Sequence, residues 1–189
     1  MVILRGRSAI ILREINESDI PVLFQWRNNQ RFINYCSTRR NEVTLSEFSK
    51  ELDGDLKRDR HLQCLILLRD KPIGTIFAYG LNRTDGYVYV TTYIDDTQEK
   101  SGYGAEAFAL FILHLFKSLE LYKIYADVYS HNTHSLKCLK NAGFVEEGRF
   151  MGHRLYQNKR YDLVRLSFFR YDFQRLEQFV SRLTKNNKI

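Results

Sequence analysis

Two hydrophobic periods succeed each other along this chain: apolar positions alternate with polar ones in short runs, and recur at helical spacing in longer ones. Ile10-Ile11-Leu12 opens a strand. Asn16 with Asp19 three residues on resembles a helix start, with Pro21 inside the tolerant first turn, and this helix is expected to run to about Asn29. A second helix is expected around Thr44 to Leu56, with Leu45, Phe48 and Leu52 on one face and Asp53-Gly54-Asp55 weakening its end. Leu62 to Leu68, Ile73 to Tyr79 and Tyr87 to Ile94 read as a meander of three strands, with turns at Asp70-Lys71-Pro72 and Asp85-Gly86.

The period then changes. Phe108, Phe111, Ile112, Leu115 and Leu119 form a helical stripe, and Ile124, Ala126 and Val128 alternate as a strand that must return beside the third of the meander, parallel to it, with the helix as crossover. A short helix from about Thr133 to Asn141 ends at Ala142-Gly143, where glycine supplies a left-handed cap. Two further strands, Phe144 to Tyr156 and Arg160 to Phe169, are joined by Gln157-Asn158-Lys159. Leu176, Phe179, Val180 and Leu183 predict a C-terminal amphipathic helix at about 171–184. The fold class is α/β, a mixed and mostly antiparallel sheet with one parallel unit and flanking helices. At 189 residues it is expected to be one domain, 1–189.

Composition narrows the function classes. Lys and Arg outnumber Asp and Glu by 29 to 22, so the surface attracts phosphates, but Arg39-Arg40 and Lys57-Arg58 are short and interrupted by acids, as on a solvated face. Thirteen Phe, twelve Tyr and one Trp furnish either an aromatic core or a ring-lined cleft. Cys36, Cys64 and Cys138 are odd in number and form no CxxC, which speaks against a disulfide framework and a zinc knuckle and for a reducing cytoplasm. No apolar run approaches the roughly 20 residues that cross a bilayer, and the N-terminus has no secretion signal. His131 and His134 have metal-like spacing without further ligands, so no metal is expected.

Candidate chemistry centres on Glu99-Lys100-Ser101-Gly102-Tyr103-Gly104-Ala105, between a strand and an amphipathic helix. Two glycines let backbone N–H groups turn inward, and the helix start adds partial positive charge, so this loop can hold a pyrophosphate. A plain strand-to-helix turn has the same pattern. There is no third glycine for a dinucleotide fingerprint and no Gly-Lys-Ser/Thr for a P-loop.

Downstream stand Asn132-Thr133-His134-Ser135 and then Asn141-Ala142-Gly143-Phe144 with Glu147-Gly148. Together with the loop these resemble the acetyl-CoA-binding motifs of the GNAT superfamily of N-acyltransferases, most closely its RimJ/RimL-type branch. The resemblance implies the GNAT fold, splayed between its fourth and fifth strands, and acetyl-CoA or another short-chain acyl-CoA as co-substrate. It implies that Glu99, Lys100, Ser101, Gly102, Tyr103, Gly104 and Ala105 bind the pyrophosphate through main-chain N–H groups. Tyr93, Ile94 and Asp95 are then expected along pantetheine, with Asn132 and Ser135 also on the coenzyme. Where relatives commonly have Gln or Arg first in the loop, this chain has Glu99. Leu139 stands where many place a Tyr acid, which makes Ser135 the nearest substitute, and Tyr89 stands where many place a Glu base, for which His153 is the candidate.

The implied reaction is direct attack of a neutral amine on the thioester, with a backbone N–H near Ile94 stabilising the oxyanion and no covalent enzyme intermediate. Without a strong base, an amine of pKa near 8 is favoured over a lysine amine near about 10.4. Trp26-Arg27-Asn28 resembles the Trp-Arg-Asn of enzymes that acylate nucleotide-linked amino sugars. Trp26, Arg27, Asn28, Tyr79, Tyr89 and His153 are accordingly the expected acceptor residues, with a dTDP- or UDP-linked amino sugar as acceptor. An N-terminal protein acetyltransferase and a non-catalytic CoA-sensing or RNA-binding module are the alternatives. No membrane partner is expected, nucleic acid is not favoured, and a homodimer is left open.

Overall fold

The computed structural model describes residues 3–6, 9–58, 60–98, 102–174 and 176–178. It divides into two compact units: Met1–Leu81 with Thr91–Phe111, and Asn82–Val90 with Ile112–Ile189.

In the first unit, β1 (Ile3–Arg5) and β2 (Ile10–Glu14) pair antiparallel, and β2 continues onto β3 (Arg60–Leu68) and β4 (Lys71–Asn82). β1, only three residues long, escaped the sequence pattern. The Asn16–Asp19 capping box is present, and Asp19 also takes two hydrogen bonds from Arg13 at 2.9 and 2.8 Å. The single helix expected to Asn29 is instead a 3-10 turn (Glu17–Asp19), α1 (Ile20–Arg27) and α2 (Gln30–Tyr35). The two asparagines cause the break. Asn28 exchanges two 2.9 Å hydrogen bonds with the main chain of Val43, and Asn29 caps α2 by accepting from the Arg31 N–H at 2.8 Å. Helix α3 (Leu45–Arg58) starts from a Thr44–Glu47 box and passes through Gly54 without interruption. It buries Phe48 and Leu52, whereas Leu45, expected on the same face, is 51% exposed in the first turn. These side chains pack with Leu23, Trp26, Phe32, Leu65, Leu67 and Tyr93.

The β3–β4 turn falls one residue earlier than expected, at Arg69-Asp70, both with positive φ, so Lys71 and Pro72 already belong to β4. β5 (Tyr87–Ile94) runs through both units, and its last residues approach β4 closely: a Cβ on Gly74 would lie 2.2 Å from the Tyr93 carbonyl oxygen.

In the second unit β6 (Lys123–Tyr129) lies parallel to β5, after the crossover helix α4 (Tyr103–Ser118), but the pairing covers only Tyr87–Tyr89 with Lys123–Tyr125. Val90 and Ala126 are beyond its end, so the two strands part there. α5 (Thr133–Asn141) closes on Gly143, φ +99°, as expected. β8 (Lys159–Phe169) lies between β6 and β7 (Val145–Tyr156), giving the hydrogen-bonded order β1-β2-β3-β4-β5-β6-β8-β7. Ile112, Leu115, Ile124, Val164, Leu166 and Phe168 form the buried face. After a 3-10 turn at Arg170–Asp172 the chain is helical at 173–174 and 176–178. Phe179, Val180 and Leu183 of the expected C-terminal helix lie outside the described residues. Among the described residues, no helix is long and apolar enough to cross a membrane.

Two glycines in the first unit should respond in opposite senses. Gly74→Ala, whose methyl meets a carbonyl, should lower urea-unfolding stability by about 2 kcal/mol or more. Gly54→Ala, with nothing within 4 Å of the new methyl, should raise it by about 0.5–1 kcal/mol.

Candidate active site

In the first unit, the end of β5 and the entry to α4 are held from below by α1 and α2. The Trp26 indole Nε1 donates to Asp95 Oδ2 at 2.9 Å, while Asp95 Oδ1 accepts from the Thr97 main chain and hydroxyl at 3.0 and 2.7 Å. Arg31 donates to the Ile94 carbonyl at 3.2 Å and to Asp96 at 3.0 Å. Burial opposes the charge on Asp95, but the Thr97 bonds, the indole and Arg31 together outweigh it and hold the carboxyl below its ordinary value. Trp26, expected on the acceptor, is 3% exposed and spends its one donor here.

Tyr93 is 2% exposed between Trp26 and Phe32, at ring centroid distances of 6.0 and 5.3 Å. Burial first, and Asp96 and Asp95 second, push its phenol up, so the ring stays neutral, and what Tyr93 can offer a ligand is main chain. The Ile94 side chain lies where Gly104 leaves room: a Cβ there would be 3.0 Å from Ile94 Cγ1. Gly102 adopts φ +83° with nothing within 4 Å of where a Cβ would project, and its carbonyl accepts from the N–H groups of Ala105 and Glu106 at 3.1 and 3.2 Å. The N–H groups of Gly102, Tyr103 and Gly104, at the helix start, have no acceptor within the helix. Among the described residues these donors meet no acceptor, and they stand beside space that a side chain would have filled, which fits a pyrophosphate. Glu99, Lys100 and Ser101 lie outside the described residues.

The same unit contains a cavity of about 320 Å³. Arg27 and Tyr79, both expected on the acceptor, line it; Asn28 is not in its lining, and its amide is tied to the Val43 main chain by one donated and one accepted bond. Arg27 is 6% exposed and reaches Glu51 at 3.2 Å, and Arg39 closes on the other oxygen of Glu51. Glu51 and Asp55, one helical turn apart on α3, also line the cavity. The sequence reading missed both, because acids on an amphipathic helix look like a solvated face. Gln63 and Thr75, hydrogen-bonded at 3.1 Å, contribute buried polar groups.

In the second unit, Asn132 caps α5, its side chain accepting from the Ser135 N–H at 3.2 Å. The half-buried Ser135 hydroxyl makes no hydrogen bond among the described residues. Tyr89 stacks on Tyr125 with centroids 5.0 Å apart, and the Arg165 guanidinium sits 4.9 Å from its ring, clamped by Asp127 at 2.9 and 2.8 Å. Burial raises the Tyr89 phenol against the pull of Arg165, so it is not a base at neutral pH. His153 is exposed on a bulge of β7, where the register jumps between Phe150 and Arg154 and the Gly152 N–H donates to Asp162 at 3.0 Å. No hydrogen bond links Ser135 with His153. His131 stacks on Tyr156 at 4.6 Å, and burial with Arg154 lowers its pKa, while His134 is exposed beside Cys138. Burial pushes the thiols of Cys36 and Cys64 up to about 12, which makes both poor nucleophiles.

The sequence matches the acetyltransferase (GNAT) domain model over residues 9–145. The chain belongs to the GNAT acetyltransferases. The aminoglycoside N(6')-acetyltransferase type 1 of Klebsiella pneumoniae is 22% identical over 159 residues, 78% of this chain and 79% of the relative. Among solved structures, the fold is shared with spermidine N-acetyltransferase from Vibrio cholerae in complex with CoA and spermine, at TM-score 0.80 and 18% identity over 88% of this chain and 99% of that one. It is shared also with RimL, a ribosomal L7/L12 alpha-N-protein acetyltransferase in complex with coenzyme A, at TM-score 0.78 and 14% identity, covering 89% and 98%. In this GNAT chain the Trp26–Asp95 bond stands at the end of the strand that precedes the entry to α4.

Trp26→Phe keeps the ring and deletes that bond, and should cost about 1–3 kcal/mol in denaturant unfolding. Asp95 has a depressed folded pKa, so its contribution is complete above the ordinary value of 3.8 and is lost as pH falls through the lower folded one. The stability gap between wild type and Asp95→Asn should therefore be widest at pH 7 and narrow towards pH 2 in urea titrations. A gap independent of pH would show that the carboxylate is not held this way.

Proposed function

We propose that this enzyme moves an acetyl group from acetyl-CoA to a primary amine of an amino sugar. The observation that carries the donor half is the start of α4: three main-chain N–H groups without helical acceptors beside the open left-handed Gly102. Gly102 to Ala105 would grip the pyrophosphate, with Glu99, Lys100 and Ser101 completing the loop. Ile94 and Asp95 would offer main chain to pantetheine, and Asn132 the rest of its amide. The acceptor half rests on the cavity, whose mixture of Arg27, carboxylates and aromatic rings suits a polyhydroxylated amine.

The chemistry is direct. A neutral amine attacks the thioester carbon, the carbonyl oxygen gathers negative charge against main-chain N–H at the end of β5, and the C–S bond breaks to release the thiolate. The thiols of Cys36 and Cys64, pushed up to about 12, favour this course over an acyl-enzyme at either of them. The Ser135 hydroxyl would supply the proton to the leaving thiolate. His153 remains the candidate base, and its exposure makes the choice of a weakly basic acceptor amine the more important. Trp26 and Asn28 spend their side chains inside the protein, so an unlinked amino sugar is placed ahead of a dTDP- or UDP-linked one. The Klebsiella relative, named as an aminoglycoside acetyltransferase, supports the same reading. The three free cysteines suit the reducing cytoplasm, where acetyl-CoA is available.

Thiol release from acetyl-CoA should appear with amino sugars ahead of nucleotide-linked amino sugars, peptides with free N-termini and aliphatic amines. Turnover confined to peptides would replace the acceptor. Gly102→Asp should weaken CoA binding at least about tenfold by calorimetry, since it sets a carboxylate against phosphate, and unchanged affinity in a folded variant would reject the cradle. Ser135→Ala should lower kcat about tenfold or more with little change in CoA affinity, and wild-type turnover would remove Ser135 from the mechanism.

A further inference from the structure

The peptide link between Ile94 and Asp95, at the end of β5, is held from both sides. Its carbonyl accepts from Arg31 Nη1 at 3.2 Å, and its N–H donates to the Ile73 carbonyl on β4 at 2.8 Å. A peptide is planar, so two bonds on opposite sides fix its orientation. All the groups involved belong to the first unit. Successive N–H groups of an extended strand face opposite edges, and a residue's own N–H and carbonyl face the same one. With the Asp95 N–H spent on β4, the Ile94 N–H faces away from β4, on the edge where Arg31 takes the Ile94 carbonyl.

The acids at this strand end work against an oxyanion. Asp95 and Asp96 both stand here, and either carboxylate opposes negative charge gathering on a nearby carbonyl oxygen. Arg31 answers the second directly, with Nη1 on Asp96 Oδ1 at 3.0 Å. That pair is open to water, the side chains being 28% and 51% exposed, so as an ion pair it adds little to folding stability. The strand end is already anchored by the buried Trp26 through its bond to Asp95. What Arg31 adds is orientation and charge at the Ile94 edge.

We propose that Arg31 is a positioning residue for acetyl transfer: it keeps the Ile94 N–H aimed at the thioester carbonyl oxygen, and it sets a positive charge beside that oxygen as negative charge gathers on it. It acts through the Ile94 main chain, and no proton moves in this contact. The inference rests on the acetyl-transfer reading and names the side chain on which its oxyanion donor depends. Removing an oxyanion donor outright costs about a hundredfold or more in rate. Arg31 acts through such a donor, so its loss should cost less, about tenfold.

Arg31→Met keeps an unbranched stem and removes the charge and the donors. In thiol-release assays with the full chain it should lower kcat about tenfold, while KM for acetyl-CoA stays within about twofold and the urea midpoint moves by no more than about 0.3 M. Arg31→Lys, which restores the charge, should recover part of the lost kcat. Gln30→Ala, at an exposed neighbouring position on α2, serves as control and should keep the wild-type kcat. Difference infrared spectra of bound acetyl-CoA, isotope-labelled at the thioester carbonyl carbon, read the same polarisation without any acceptor. The carbonyl stretch should lie at higher frequency in Arg31→Met than in the wild type. An unchanged stretch together with a kcat within about twofold of the wild type overturns the proposal. So does a loss of kcat matched by an equal loss of acetyl-CoA affinity or by a collapse of the urea midpoint. Absence of thiol release with every amine would instead strike the acetyl-transfer reading, while the infrared comparison still decides the role of Arg31.

Discussion

The hydrogen bond from Trp26 to Asp95 joins two points that are 69 residues apart in the chain, and the end of β5 depends on it. Asp95 is the first residue after β5, and its other oxygen is committed to Thr97, so one carboxylate fixes both the strand end and the turn that follows. Arg31, from α2, holds the Ile94 carbonyl and Asp96 in the same way. Where β5 stops is therefore set by two helices from the start of the sequence. The close approaches at Gly74 and Gly104, each too tight for a side chain, fix how near β4 and α4 come to Ile94. A helix start so placed can offer its main-chain donors with little further ordering, which is how a loop without a catalytic side chain contributes to binding.

This division of labour explains why Trp26 and Arg27, adjacent in sequence, do different things. On α1 their side chains diverge: the indole goes to the strand end, and the guanidinium goes to α3 and the cavity. The apolar cluster of Leu23, Phe32, Phe48, Leu52 and Tyr93 lies around both. A polar pair planted in that cluster must be satisfied internally, and Asp95 and Glu51 do this. Arg27 Nη2 and the Tyr93 hydroxyl are buried there without a hydrogen-bond partner among the described residues.

Much of the architecture was legible because strand and helix periods are unmixed. Ile124, Ala126 and Val128 announce β6, and the stripe from Phe108 announces α4. What was illegible follows from contacts that have no local pattern. The break between α1 and α2 at Asn28 is set by Val43, fifteen residues on, and the β7 bulge at Gly152 is set by Asp162 across the hairpin. The left-handed turn at Gly102 was readable because glycines carry a backbone requirement that shows in sequence. The cavity was only half readable. Arg27 and Tyr79 were expected there, but Glu51, Asp55 and the exposed Arg39 carry no sequence mark that distinguishes them from surface charge, and Asn28 is used for structure.

The central claim is that open amides at the start of α4 take the phosphates of the coenzyme. Hydrogen–deuterium exchange, followed amide by amide with and without CoA, reads those groups directly. The account requires slowed exchange at Gly102, Tyr103 and Gly104 on adding CoA, larger there than anywhere else in the chain. Protection centred on another segment, with these three amides exchanging as before, would contradict it.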